Sequence, residues 1–323
     1  MQTTNNNMWY ETFLEVLYKK FPKKTKLTKA LIDLLDLERE AVYRRLRKDV
    51  FFTIHEIVKI ASTWGISLDE IINVNSDQYS FQMRQVNYID PSKEEQFFLR
   101  EVIKSIDLLQ NAPEAEFLNI CNKLPRLLLS GYEHLNHYHL FKWKYLYNGD
   151  NEALTMSNVI ISDEKKQISK AYFEAIKNVP TTSIIFDSKI FEYLISDIQY
   201  FHSIHLITDR EKELIKEDLQ DLLNYLLQVA DKGYYPETKN KVNIYISQLN
   251  VETNYFFASS PETSVCFVIV FEKNEVYSVN SEMVSNFINW MQLQKRTSTQ
   301  ISEVDEKSRI EFFTKQRQLL ESL

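Results

Sequence analysis

Apolar residues near the start of the chain recur at the spacing of an amphipathic helix. Between residues 8 and 21 they share one helical face: Trp9, Phe13, Val16, Leu17 and Phe21. The same spacing predicts helices over about 28–35, 39–48 and 54–64, and a short one that ends near residue 72. Residues 8–75 are therefore predicted to fold as five short helices.

Residues at two of these predicted helix ends are of the types that favour an end. Thr53 is followed three positions later by Glu56, and Ser67 by Glu70, so each pair has the spacing of a capping box. Gly65 stands where a left-handed C-cap would end the fourth helix. The fourth and fifth helices are therefore expected to begin at Thr53 and Ser67.

The rest of the chain shows helical and β patterns in separate stretches. Helices are predicted over about 91–110, 113–124, 163–178, 187–203, 208–232, 281–295 and 303–322. The helix over 208–232 is framed by a capping box, Thr208 with Glu211, and by Gly233. After Lys241 come four runs rich in β-branched and aromatic residues: VNIYISQL, TNYFFASS, SVCFVIVFE and EVYSVN. Their short intervals predict an antiparallel meander.

These patterns together predict a mainly α protein with a head and a body. The head covers residues 1–75, and the body, residues 92–323, is an α+β unit with a small antiparallel sheet near 241–280. Residues 76–91 are polar with alternating aromatic positions, which indicates a linker or a packed extended arm.

Composition excludes several classes of function. The chain has four glycines, so it contains no GxGxxG, GxxxxGK[ST] or GxSxG motif, and dinucleotide, P-loop and α/β-hydrolase chemistries are disfavoured. No apolar run reaches the length of a membrane span, and the N-terminus lacks the pattern of an export signal. A cytoplasmic protein is expected, with Cys121 and Cys266 as buried thiols.

Charge separates the N-terminal region from the rest. Residues 1–50 hold eleven Lys/Arg and seven Asp/Glu, a balance of +4, whereas the remaining residues carry a balance of −11. A basic end on an acidic chain is typical of a protein that presents one region to a polyanion.

Particular residues of the head resemble the lambda-repressor-like (Cro/C1-type, Xre-type) helix-turn-helix family. Residues 27–37 are similar to that family's second helix and turn, with Ala30 at the small, tightly packed position, and residues 39–47, with VYRRLR, are similar to its recognition helix. Residues 51–72 resemble the fourth and fifth helices. The turn, Asp36-Leu37-Glu38, departs from the pattern because it lacks the usual glycine.

The resemblance implies binding to double-stranded DNA by the third helix, which would lie in the major groove. Arginine pairs with guanine and with phosphate oxygens, so the arginine-rich helix suits both tasks. The residues expected to face the bases are Arg39, Glu40, Tyr43 and Arg44. Those expected to hold the DNA backbone are Thr28, Lys29, Arg45, Arg47 and Lys48, with Lys23, Lys24 and Lys26 nearby.

The histidine and aromatic clusters of the body are expected to be ordinary surface or core residues, but each leaves an alternative open. His134, His137 and His139 lie close together, and His202 and His205 form an i, i+3 pair, so a metal site in the body is an alternative to ordinary surface or core histidines. An aromatic run is expected to be core rather than the lining of a ligand pocket: Tyr132, Tyr138, Phe141, Trp143, Tyr145 and Tyr147, with Tyr255, Phe256 and Phe257 treated likewise.

The sequence thus predicts a sequence-specific DNA-binding transcriptional regulator, not an enzyme, without cofactor or membrane partner. It is expected to bind its operator as a homodimer, with the body serving dimerisation or sensing a small-molecule or peptide effector. The alternatives are a protein-interaction module without DNA binding and, less favoured, a metal-dependent enzyme in the body.

Overall fold

The chain forms two compact units, Met1–Ser80 and Phe81–Leu323, for which we keep the names head and body. A computed structural model describes residues 8–72, 81–84, 91–147, 154–261, 264–271, 274–278 and 280–323. Most of the predicted linker, residues 76–91, lies outside the described residues. The described part within it includes strand β1, Gln82–Arg84, which pairs with a strand near the C-terminus and so belongs to the body.

The described head consists of short helices around one apolar core. Their bounds are α1 Met8–Lys20, α2 Lys24–Leu35, α3 Arg39–Leu46, α4 Ile54–Trp64 and α5 Leu68–Ile72. The capping box of Thr53 with Glu56 and the left-handed Gly65, with φ of 61°, confirm the predicted ends of α4. The side chain of Glu70, predicted to cap α5, lies outside the described residues. Helix α3 ends earlier than predicted because Lys48 adopts a left-handed conformation.

The body combines helices with one sheet. Its helices are α6 Pro91–Gln110, α7 Arg126–Leu129, α8 Glu133–Tyr147, α9 Asp163–Ala175, α10 Glu192–Ser203, α11 Asp209–Lys232, α12 Ser281–Arg296 and α13 Glu306–Glu321. Its further strands are β2 Glu116–Cys121, β3 Thr181–Asp187, β4 Lys241–Ser247, β5 Tyr255–Ser259, β6 Ser264–Val270, β7 Asn274–Ser278 and β8 Ser298–Gln300. The predicted caps of α11, Thr208 with Glu211 and Gly233, are confirmed.

The sheet is larger than predicted and is mixed. Its strand order is β1-β7-β6-β5-β2-β3-β4-β8, and β2, β3 and β4 run parallel while the other neighbours run antiparallel. The prediction of a small antiparallel sheet near 241–280 is therefore wrong. Strand β4 does not join the meander, because it pairs with β3 and β8; only β5, β6 and β7 form consecutive antiparallel neighbours.

Strand β2 was predicted as part of a helix over 113–124. It lies in the middle of the sheet, and five of its six residues are buried. A short apolar run of this kind has no periodicity that separates a buried strand from a buried helix. Its conformation is decided by hydrogen bonding to β3 and β5, whose residues lie more than sixty positions away.

Helices cover the sheet on both faces, so the body has three layers. One face packs residues such as Phe186 and Ile244 against α8, α10, α11 and α13. The other face packs Ile120 and Ile185 against α12, whose Met291 is fully buried in the same cluster. Side chains of a strand alternate between the two faces, which explains how Ile185 and Phe186 join different cores.

Candidate nucleic-acid interface

A left-handed aspartate makes the turn between α2 and α3. Asp36 has φ of 53° and ψ of 47°, and its N–H donates to Ile32 O at 2.9 Å. Glu38 then returns to extended geometry and precedes the first residue of α3. Aspartate is one of the few residues other than glycine that occupy this region, so the turn forms without a glycine.

Inside the head, α3 is anchored by Val42 and by Arg45. Val42 is fully buried. The Arg45 guanidinium makes a two-pronged ion pair with Glu56 of α4, Nε to Oε2 at 3.0 Å and Nη2 to Oε1 at 2.8 Å, while Nη1 donates to Ala41 O at 3.2 Å. The same guanidinium lies over the Phe52 ring. Arg45 thus fixes α3 against α4.

Glu56 serves this ion pair and the helix cap at once. Its Oε2 accepts from the Thr53 N–H at 2.8 Å, which completes the capping box of α4. Burial alone would raise the pKa of Glu56, but the hydrogen bonds from Arg45 and Thr53, together with the positive charge of Arg45, outweigh it and lower that pKa. The carboxylate therefore stays ionised where it joins α3 to α4.

Tyr10 links α1 to the end of α3 and to the segment before α4, which the sequence patterns did not indicate. Its side chain is fully buried, and its hydroxyl donates to Arg45 O at 3.1 Å and accepts from the Phe52 N–H at 3.2 Å. Burial raises its pKa to about 12, so the phenol stays neutral. Trp9, which the helical stripe placed in the core, is only half-buried.

The outer surface of α3 carries the remaining charged side chains. Arg44 is exposed. Arg39 is exposed and donates to the Tyr43 hydroxyl at 3.1 Å, with its guanidinium over the Tyr43 ring. Arg47 pairs with Glu40 at 2.9 Å and with Asp49 at 3.2 Å, and all three side chains are exposed. Solvent-exposed ion pairs contribute little stability, so Arg47 can exchange these partners for a phosphate at small cost.

The structure separates the predicted contact residues into two groups. Arg39, Glu40, Tyr43 and Arg44 lie on the outer side of α3, Arg47 is exposed directly after its last residue, and Lys29 is exposed on α2.

Two of the residues predicted to contact DNA do not lie on the outer surface. Thr28 is 4% exposed and donates its hydroxyl to Lys24 O, so it does not reach the surface. The Arg45 side chain is only 14% exposed and is committed to Glu56. Lys48 is exposed and pairs with Glu11 at 2.5 Å.

His137 and His202, two histidines of the body, interact with different partners. His137 Nε2 lies 2.7 Å from Val159 O, and His202 Nε2 lies 2.7 Å from the Asp209 carboxylate. Across the described residues, the structure brings together no group of three or more His, Cys, Asp and Glu side chains that could hold a metal ion. Cys121 and Cys266 are both buried thiols, as predicted.

Of the predicted aromatic run, Tyr138, Phe141 and Trp143 are buried in the body, whereas Tyr132 and Tyr145 are partly buried. Tyr138 and Phe256, which were expected to be core rather than pocket lining, are buried but also line a cavity. The Tyr147 side chain lies outside the described residues.

In the described parts of the chain, no helix combines the length and hydropathy that crossing a bilayer requires.

Comparison of the chain with family models, with curated proteins and with solved structures gave no match.

Proposed function

We propose that the head binds double-stranded DNA through the outer face of α3 and that the chain acts as a sequence-specific transcriptional regulator. The observation that carries the proposal is that the inner and outer side chains of α3 have separate roles. Val42 and Arg45 hold the helix from inside, while Arg44 and Arg47 face outward. A rigid helix with outward arginines after a tight turn suits docking in a major groove.

The chemistry of the outer face fits base reading as well as phosphate binding. Arg44 can donate two parallel hydrogen bonds to guanine, and Glu40 can accept one from cytosine. The Arg39–Tyr43 pair gives a flat, charged surface beside them. Lys23, Lys24 and Lys26 are exposed at the start of α2, where they add positive charge for the DNA backbone.

Binding as a homodimer is part of the proposal. Ile54 and Val58 stand four residues apart on α4, 74% and 48% exposed, and Phe51 is 40% exposed. Exposed apolar side chains at this spacing favour contact with a protein surface. With a second copy there, the operator would hold two half-sites about 10 base pairs apart.

The same apolar residues favour the alternative function, a protein-interaction module that binds no DNA. The two functions differ in their dependence on salt. Neutralising several phosphates releases counterions, so the affinity for DNA falls steeply as the salt concentration rises. The affinity for a protein partner bound through Ile54 and Val58 would not fall in this way.

The test selects genomic duplex fragments that bind the full chain and then measures their affinity by fluorescence anisotropy at several salt concentrations. Arg44→Ala is expected to weaken binding to a selected site about 10-fold or more, because one base-reading arginine is lost. Arg210→Ala, which removes a surface arginine from α11 of the body, is the control with the same change in charge. Equal affinities for both variants, or no selected fragment, would overturn the assignment of α3.

A further inference from the structure

The body encloses a cavity of about 720 Å³. Its walls come from α6, α8 and α10 and from the face of β5, β6 and β7. Cavities of about 300–1,000 Å³ are typical of sites for small molecules. Leu108, Tyr193 and Phe271 line the cavity and are also more than half exposed, so they mark where it reaches solvent.

A row of aromatic rings crosses the sheet along this cavity. Phe256 of β5 lies directly opposite Phe267 of β6, and Phe267 lies opposite Tyr277 of β7. The Phe256 and Phe267 rings are stacked, with centroids 4.8 Å apart and planes 7° apart. Phe117 of β2 lies next to them, 6.0 Å from the Phe256 ring. All four rings line the cavity.

Strand β6 divides its side chains between this cavity and the packed core. Val265, Phe267 and Ile269 line the cavity and are only half-buried, although they lie on a strand inside the sheet. Cys266, which points to the other face, is 2% exposed and packs in the core beneath α12. The cavity face thus presents apolar surface that the side chains of the described residues leave accessible, and apolar surface favours an apolar ligand.

Among the described residues, the charges around the cavity are nearly balanced. Its lining includes three Lys/Arg and four Asp/Glu: Lys123, Arg126, Lys142, Glu101, Asp197, Glu252 and Glu275. Lys142 is already paired with Asp197 at 2.5 Å. This balance disfavours a polyanion such as a nucleotide, which would require an excess of positive charge. It suits a ligand with little or no net charge.

We infer that this cavity binds one flat, predominantly apolar aromatic molecule, which packs its rings against the Phe117–Phe256–Phe267–Tyr277 row. Aromatic rings attract one another in stacked and edge-to-face arrangements, so the row favours rings over a flexible acyl chain. The Lys142–Asp197 pair supplies polar atoms that can orient a polar substituent of the ligand. The inference concerns the body alone and does not depend on DNA binding by the head.

The test titrates the full chain with N-phenyl-1-naphthylamine, an uncharged aromatic probe whose fluorescence rises in apolar surroundings. Binding of one probe per chain is expected, with a dissociation constant of roughly micromolar size. Ala258→Phe places a ring in the space beside the row, since Ala258 lines the cavity, and is expected to weaken binding about 10-fold or more. Val304→Phe, at a position 76% exposed outside the lining, is the control and should bind like the unchanged chain.

A second variant, Ile269→Trp, fills the cavity from β6 and guards against an effect peculiar to Ala258. Circular dichroism identifies any variant that fails to fold, and the conclusion then depends on the other one. The inference is overturned if the probe does not bind the unchanged chain, or if folded filled variants bind it as tightly as the control. It is also overturned if palmitate displaces the probe while polycyclic aromatic compounds do not, because the occupant would then be an acyl chain.

Discussion

The head and the body present their candidate recognition surfaces in opposite ways. The head closes a small apolar core, in which Phe13, Leu17, Leu27 and Leu31 are almost completely buried, and places charge on the outside of α3. The body leaves a ring-lined cavity beside its sheet. A surface for a polyanion needs accessible charge on a rigid support, whereas a site for an apolar molecule needs enclosed surface away from water. The two proposed sites therefore suit ligands of opposite character.

The largest expected effect concerns the body. Phe186 is fully buried on β3 in the middle of the sheet and stacks on Phe312 of α13. Phe186→Ala should lower the stability of the body by about 3–5 kcal/mol, because it removes a buried ring and leaves a cavity. Hydrogen exchange of the full chain, followed by mass spectrometry of peptides, measures this. Equal loss of protection in α1–α5 would contradict the division of the chain into two compact units.

The next effect concerns the ion pair that holds α3. Arg45→Ala leaves the Glu56 carboxylate in a largely buried position without its partner and should destabilise the head by about 2–3 kcal/mol. Arg44→Ala is the matched control, because it removes the neighbouring arginine from the exposed side of the same helix. Its effect on stability should stay within about 0.5 kcal/mol. Equal exchange protection of α3 and α4 in the two variants would refute the claim that Arg45, and not Arg44, holds α3 against α4.

A smaller effect is expected at the end of α4. Gly65 has φ of 61°, and a Cβ added there would meet no atom within 4 Å. Gly65→Ala should therefore cost the head only the conformational strain, about 1 kcal/mol. Ser62→Ala, on the same helix at an exposed position, is the control. A Gly65→Ala variant as stable as that control would show that α4 can end without the left-handed residue.

The smallest effect follows from the lowered pKa of Glu56. A carboxyl whose pKa is lower in the folded state stabilises the fold above its unfolded pKa, and that contribution is lost as the pH falls through the folded pKa. Exchange protection of α3 and α4, corrected for the intrinsic rate, should therefore fall below about pH 4.5. Glu56→Gln should remove this part of the pH dependence. An unchanged profile in that variant would assign the acid sensitivity to other carboxyls.

The sequence predicted features that depend on residues a few positions apart. The capping boxes of Thr53 with Glu56 and Thr208 with Glu211 and the left-handed Gly65 and Gly233 were found where their spacing indicated. A cap satisfies backbone groups within one turn of helix, so its residue types carry the information locally.

The sequence could not predict features whose partners lie far along the chain. Arg44 was predicted to face the bases and Arg45 to hold the DNA backbone, and both were placed on the outer side of the helix. Only the packing of α3 on α4 turns Arg45 toward Glu56, eleven positions away. Likewise, β2 is a strand because β3 and β5 supply its hydrogen-bonding partners.

The amino-acid sequence by itself therefore determined where several helices begin and end and which stretch is rich in arginine. The tertiary structure decided which arginines remain outside, how the strands pair, and which aromatic rings line a cavity. The physical reason is how far apart along the chain the interacting residues lie. Helix ends are set by hydrogen bonds within about four residues, whereas exposure and strand pairing depend on chain segments that meet only after folding.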